Sequence, residues 1–309
     1  MRERIVFLGT PEISAYLLED MIKKGFNIVG VVSKEDKQGK RGNKLVPSPV
    51  SEVAMKYNIP LHRPVKLNKD YEFVEKLEPD LLLTFAYGQI LSSKVLALGK
   101  YRPLNVHASL LPKYRGSNPI QYALRNGDKV TGITLMEMVK ECDAGNYFAQ
   151  VEIPIDEKDN LTSMEDKIKV SACELIEKYL QLYFENKLEE KIQDPTQATF
   201  TKMLTKEEEH LSLDLGCVDF VNFVRSLAYD IGGYLDFNGE NLKIFAATVI
   251  NDKVEAEVGK IILAKKKNII LQLKDGQVNI DLLQRPGKKM MATCDFNNGN
   301  RDLEGAILK

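Results

Sequence analysis

The chain has 309 residues, a formal net charge of −1 and 44% hydrophobic residues, the profile of a globular protein long enough for two domains. With no excess of positive charge, any nucleic-acid contact has to come from local basic patches. Cys142, Cys173, Cys217 and Cys294 contain no C-x-x-C pair, which argues against a disulfide framework or zinc site; no apolar stretch nears membrane-spanning length, and the run after Arg4 is too short for a signal sequence, so a soluble cytoplasmic protein is expected.

Ile5 to Gly9 is a continuous apolar run, the pattern of a strand buried on both faces. Gly9-Thr10-Pro11 turns the chain into a helical pattern carried by Leu17, Leu18, Met21 and Ile22, with Gly25 as the stop. Phe26 to Val32 is a second strand, so the chain opens β-α-β and favours a right-handed crossover in an α/β sheet. Ser33 to Pro49 breaks the rhythm as an exposed basic loop holding Lys34, Lys37, Lys40, Arg41 and Lys44. Helices follow from Pro49 to about Tyr57 and near Tyr71 to Leu77, then strands from Asp80 to Phe85 and Arg102 to Val106. The second of these delivers Asn105 and His107 at its C-terminal end, where open α/β sheets bind ligands.

Ile133 to Met138 alternates and leads towards Asp143. Thr162 to Phe184 is a long amphipathic helix, and Thr162 with Glu165 has capping-box spacing. Gln193 to Glu209 is polar and predicts a linker. Beyond it a helix from Val218 to Ala228 precedes strands at Tyr234–Phe237, Leu242–Thr248, Glu257–Leu263, Ile269–Leu273 and Val278–Leu282. Asn238-Gly239 and Asp275-Gly276 are hairpin turns, and the spacing suggests a small β-barrel. The division expected is 1–190, a linker over 191–208, and 209–309.

Chemistry concentrates around Asn105, His107 and Asp143. An amide, an imidazole and a carboxylate so placed are able to polarise a carbonyl and move a proton. The other two of the three histidines, His62 and His210, lie in plainer surroundings and read as structural. Gly9-Thr10-Pro11 is neither G-x-G-x-x-G nor a P-loop, and Ser109 lacks the G-x-S-x-G setting of a hydrolase nucleophile.

Asn105-x-His107, followed by Ser109-Leu110-Leu111-Pro112 and by Asp143, resembles the active-site signature of the folate-dependent formyltransferases. The resemblance narrows to the methionyl-tRNA formyltransferase family at Phe7-Leu8-Gly9-Thr10-Pro11, Lys44 to Val50, Phe85 to Leu91, Arg115-Gly116 with Pro119-Ile120-Gln121, and Gly287-Lys288-Lys289-Met290 with Asp295-Phe296. It covers the chain in order. It implies a Rossmann-like α/β N-terminal formyltransferase domain, a C-terminal OB-like β-barrel that binds tRNA, and Asn105, His107 and Asp143 as catalytic residues. It also implies 10-formyltetrahydrofolate as co-substrate, with no metal, and initiator methionyl-tRNA as acceptor.

The implied folate pocket is lined by Phe85, Ala86, Tyr87, Gly88, Gln89, Ile90 and Leu91 on one side and Ser109, Leu110, Leu111 and Pro112 on the other. For the rings of Phe85 and Tyr87, simple core packing is an equal reading. The tRNA is expected on Lys37, Lys40, Arg41 and Lys44 of the inserted loop, and on Lys265, Lys266, Lys267, Lys288 and Lys289 of the barrel. No apolar heptad suggests self-association, so a monomer is expected. The chain departs from the family at Tyr229 to Tyr234, where an Asn-Pro-Trp-Pro-like segment often stands, and it has no Trp. The alternatives are a sugar-nucleotide N-formyltransferase with the same donor, a protein hydrolysing that donor, or a catalytically silent RNA- or folate-binding protein.

Overall fold

The computed structural model describes residues 2–38, 45–229 and 231–309, which form two compact units. The first comprises 1–117, 131–154 and 165–201; the second comprises 118–130, 155–164 and 202–309.

The first unit is built on a seven-stranded sheet: β1 (Ile5–Gly9), β2 (Ile28–Val32), β3 (Leu61–His62), β4 (Leu81–Phe85), β5 (Leu104–His107), β6 (Val130–Glu137) and β7 (Tyr147–Pro154). Their spatial order is β7-β6-β5-β4-β1-β2-β3. The five strands from β3 to β5 pair in parallel, and β6 runs antiparallel to β5. The chain starts in mid-sheet, winds outward to β3 and returns to β4 beside β1. That reversal is the topological switch point at which doubly wound sheets open a ligand crevice. β1 and β4 are wholly buried, as their unbroken apolar sequences require.

Gly9 closes the switch point tightly. A Cβ there would stand 2.8 Å from the Phe7 ring and 3.0 Å from the Phe85 carbonyl. The turn after it is pinned to the end of β4: Ser14 Oγ donates to the Phe85 carbonyl and Thr10 Oγ1 donates to that of Tyr87 at 3.1 Å.

The inserted segment is more regular than the sequence suggests. Lys37–Gln38 pairs antiparallel with Leu45–Val46, forming the stem of a ribbon. Lys40, Arg41 and Lys44 lie outside the described residues.

The cap of the helix Leu161–Phe184 differs from the expected Thr162/Glu165 box. Asn160 Oδ1 accepts from Ser163 N at 3.1 Å, and Ser163 Oγ accepts from Asn160 N at 3.0 Å. Asn is as strong an N-cap as Thr, and the helix starts one residue earlier.

In the second unit, the helix Cys217–Ser226 packs on Pro119–Arg125, with the Arg125 guanidinium 3.7 Å from the centre of the Phe223 ring. That packing explains why 118–130 groups with the C-terminal half. The sheet here contains β8 (Gly233–Phe237), β9 (Glu240–Asn251), β10 (Ile261–Lys265), β11 (Asn268–Leu273), β12 (Gly276–Gln284) and β13 (Met291–Ala292). The order is β8-β9-β12-β11-β10, all antiparallel, with β13 on β12. The strand expected over Glu257–Leu263 is β10, shifted to Ile261–Lys265.

The two edge strands of this sheet are joined by the chain's final residues. Ile261 N donates to Ala306 O at 2.8 Å and Leu308 N to Gly259 O at 2.8 Å, while Lys309 N donates to Asp236 O at 3.0 Å and Asp236 N returns a bond at 2.6 Å. Both edges are thereby paired and the sheet closes as a barrel, which removes exposed edge groups. Its core includes Phe220, Phe223, Leu235, Ile244, Leu271, Ile280 and Phe296. Among the described residues, no helix is long and apolar enough to cross a membrane.

Candidate active site

Asn105 and His107 lie on β5, between β4 and β6. The register sets Asn105 beside Thr84 and Met136, and His107 beside Thr134. Thr84 Oγ1 donates to Asn105 Oδ1 at 2.8 Å. That bond orients the amide by its oxygen and leaves its NH2, with no partner among the described residues, to act as a donor.

His107 is buried, 6% exposed, yet both ring nitrogens face oxygen. Nε2 is 2.9 Å from the Tyr114 carbonyl and Nδ1 is 3.7 Å from Asp143 Oδ2. Both are donors when the ring is protonated. The Nδ1 separation exceeds a hydrogen bond, as is common before substrate tightens a site.

Asp143 stands in a turn with φ +48, a left-handed conformation that Asp tolerates better than most residues. Its Oδ2 accepts from Gly116 N at 2.8 Å. Gly145 ends the turn, and a Cβ there would collide with the Glu137 carbonyl. Beside it, the Cys142 Sγ is 3.4 Å from Asp143 Oδ2, and burial followed by the Asp143 charge pushes the thiol up to about 11.

The Ser109–Pro112 stretch is braced from inside. Ser109 Oγ donates to Lys113 O at 2.6 Å, Thr134 Oγ1 donates to Ser109 O at 2.6 Å, and Gln150 Nε2 donates to Leu111 O at 2.8 Å. Ser109 and Leu111 are buried, while Leu110 and Pro112 are half-buried. The residues after β4 alternate. Phe85, Tyr87 and Leu91 are buried, with Tyr87 and Leu91 in one apolar cluster with Val6, Leu8 and Leu82; Ala86, Gly88 and Ile90 face out. Burial pushes the Tyr87 phenol up, and its hydroxyl has no hydrogen-bond partner among the described residues. The aromatic rings are therefore core, and the outward face of this loop offers backbone and Ile90, which is 81% exposed. Gln89 clamps the loop, accepting from Leu67 N at 3.0 Å and donating to Val65 O at 3.3 Å. Sequence reasoning missed Lys34 as a neighbour: its Nζ would lie 2.5 Å from a Cβ on Gly88.

The expected basic residues do not all share a unit. Lys37 is on the exposed ribbon of the first unit. Lys265, Lys266 and Lys267 form the hairpin tip between β10 and β11, where Lys266 has φ +56, and Lys288 and Lys289 lie in the turn after β12. These five lysines of the second unit are exposed, and no described carboxylate pairs with them. His62 stacks on Phe73 at 4.9 Å and meets Asp70 at 3.0 Å, and His210 lies edge-on to Tyr234.

The formyl transferase family model matches residues 3–180, and the formyl transferase C-terminal domain model matches 203–301. The methionyl-tRNA formyltransferase of Lactobacillus delbrueckii subsp. bulgaricus is 40% identical over 297 residues, covering 96% of this chain and 94% of its own length. That of Thermotoga neapolitana is 37% identical over 308 residues, covering 99% and 98%. Among solved structures, an N-formyltransferase from Helicobacter canadensis in complex with folinic acid and dTDP-3-aminofucose superposes with a TM-score of 0.67 at 19% identity, covering 92% of this chain and 100% of that one. HypX from Aquifex aeolicus in complex with tetrahydrofolic acid gives 0.64 at 16% identity, covering 96% and 47%. At such identities these two structures speak for the fold alone.

Proposed function

We propose, from the premise that this chain belongs to the methionyl-tRNA formyltransferase family, that it moves the formyl group of 10-formyltetrahydrofolate onto the amino group of methionyl initiator tRNA. The observation that carries the reading is the Asn105 amide, held by its oxygen on Thr84 with its NH2 open, two positions from a histidine that faces Asp143.

The acceptor amine attacks the formyl carbon, a C–N bond forms, and the carbonyl oxygen becomes an oxyanion. Asn105 Nδ2 donates to that oxygen, a contribution on the order of 3 kcal/mol to the barrier. His107, when its ring carries both protons, adds a donor through Nδ1, since Nε2 faces the Tyr114 carbonyl. Asp143 takes the proton from the attacking nitrogen, directly or through a water. The oxyanion then collapses to a carbonyl, the C–N10 bond breaks, and the departing N10 receives the proton that Asp143 took, directly or through a water, so the site ends as it began.

In this reading, residues 1–190 are the catalytic domain, to which 191–201 adds by packing on it, 202–208 join it to the rest, and 209–309 bind tRNA. Folate is held by the outward backbone of Phe85 to Leu91 and by Ser109 to Pro112, a mostly apolar setting that suits a flat ring with polar edges. Lys37, Lys40, Arg41 and Lys44 meet the acceptor end, and Lys265, Lys266, Lys267, Lys288 and Lys289 meet phosphates, which makes binding salt-dependent. The enzyme works as a cytoplasmic monomer without a metal.

The test is a formylation assay with 10-formyltetrahydrofolate and three acceptors: methionyl initiator tRNA, methionyl elongator tRNA and an amino-sugar nucleotide. Preference for the initiator tRNA is expected. Preference for the amino sugar would replace the acceptor assignment, and release of formate alone would replace the transfer itself.

A further inference from the structure

Residues 191–201, polar in sequence and expected as linker, run instead against the back of the catalytic turn. Lys191 pairs with Tyr147 through bonds of 2.8 and 2.9 Å, and Phe200–Thr201 pairs in parallel with Arg115–Gly116. Between them Gln193 is 5% exposed, and its side chain spends both ends of its amide on the site. Oε1 accepts from Arg115 Nε at 3.0 Å, while Nε2 donates to the Asp143 carbonyl at 2.8 Å and to the Gly145 carbonyl at 2.6 Å.

The two segments that Gln193 joins are the ones that meet at the catalytic carboxylate. Gly116 N holds Asp143 Oδ2, and Tyr114 O holds the His107 ring. We infer that Gln193 is a positioning residue for formyl transfer: its buried amide locks the 143–145 turn to the Arg115 strand and so fixes the Asp143 carboxylate opposite His107. The inference rests on the assignment of Asp143 to proton transfer made above. Its chemistry favours glutamine specifically. The site needs one acceptor and two donors in a plane, which a carboxamide supplies; glutamate would set an oxygen against two carbonyl oxygens, and leucine would leave Arg115 Nε and both carbonyls unpaired.

The experiment compares the full-length enzyme with Gln193→Leu, Gln193→Glu, Asp143→Asn and the double variant Asp143→Asn/Gln193→Leu. Formylation is measured well below each variant's melting temperature, with the folded fraction checked by circular dichroism. Both Gln193 variants should lose at least about tenfold in kcat, with KM for folate and for methionyl-tRNA within about twofold. In the Asp143→Asn background, Gln193→Leu should cost nothing further, because residues acting through one group are not additive. A Gln193→Leu loss of equal size in both backgrounds, or no loss beyond the folded fraction, would overturn the inference. Absence of formylation by the unmodified enzyme would instead overturn the underlying assignment. As a readout independent of turnover, iodoacetamide labelling of Cys142 should accelerate in Gln193→Leu as the turn loosens; an unchanged rate counts against the inference.

Discussion

His107 and Asp143 face each other across 3.7 Å, yet neither is placed by its own strand or turn alone. The histidine ring is held from behind by the Tyr114 carbonyl, and the carboxylate by the Gly116 amide. The segment that follows the Ser-Leu-Leu-Pro turn therefore holds both partners. Its own stability rests on pairing with Phe200–Thr201.

Gly116 is the most exposed point of this arrangement to mutation. Its φ is +110, and a Cβ would strike the Thr201 carbonyl. Gly116→Ala should destabilise the protein by about 1–3 kcal/mol and lower kcat as the amide donor to Asp143 shifts. Thermal melts and steady-state formylation check both; a variant as stable and as active as the parent would show that the close approach relaxes without cost.

Tyr87 offers the opposite case. Its hydroxyl is buried without a partner among the described residues, so it contributes a desolvation penalty that none of them offsets. Tyr87→Phe should be neutral or raise stability by up to about 1 kcal/mol. A clear loss of stability in a denaturant melt would mean that the hydroxyl is satisfied in solution.

A pH effect follows from Glu190. Hydrogen bonds from Arg102 and then Asn146 hold its carboxylate down to about 2. Because the folded value lies below the unfolded one, its contribution is complete above the ordinary carboxylate range and fades as pH falls towards 2. Glu190→Gln should lower the melting temperature at pH 7 and make much less difference near pH 2.5. An equal gap at both pH values contradicts the ion pair.

Cys142 reports on Asp143 without any substrate. Cys142 is exposed, so reagent access does not limit it, but a thiol pushed up to about 11 should still react with iodoacetamide at pH 8 about a hundredfold more slowly than an unperturbed cysteine. Asp143→Asn removes the carboxylate's contribution while the partial desolvation of the sulfur remains, so labelling should accelerate by a smaller factor. Peptide mass spectrometry over a time course measures it, and an unchanged rate would separate the thiol from the carboxylate.

Much of this molecule is legible in its sequence, for identifiable reasons. β1 and β4 are apolar runs with one reading at their length, and Asn105 and His107 announce themselves by spacing at a strand end. The hairpin tip at Lys266 follows from the strands on either side. Gln193 is not legible, because its partners are two backbone carbonyls and an arginine distant in sequence, and its neighbourhood is as polar as a true linker. The closure of the barrel by residues 305–309 is equally hidden, since backbone bonds make it. The Thr162/Glu165 spacing points to a cap two residues too late, because the reciprocal bonds between Asn160 and Ser163 that cap the helix use a pair without the acidic residue of that pattern. Phe85 and Tyr87 carried two readings, and burial assigns their rings to the core.

The central claim is that Asn105 stabilises the oxyanion of formyl transfer. Its most direct test is the single-turnover rate of formyl transfer to methionyl initiator tRNA at saturating enzyme and 10-formyltetrahydrofolate, for the parent and Asn105→Ala. A fall of about 10²–10³ in that rate, with tRNA and folate affinities unchanged, is expected. A rate within a fewfold of the parent would contradict the claim.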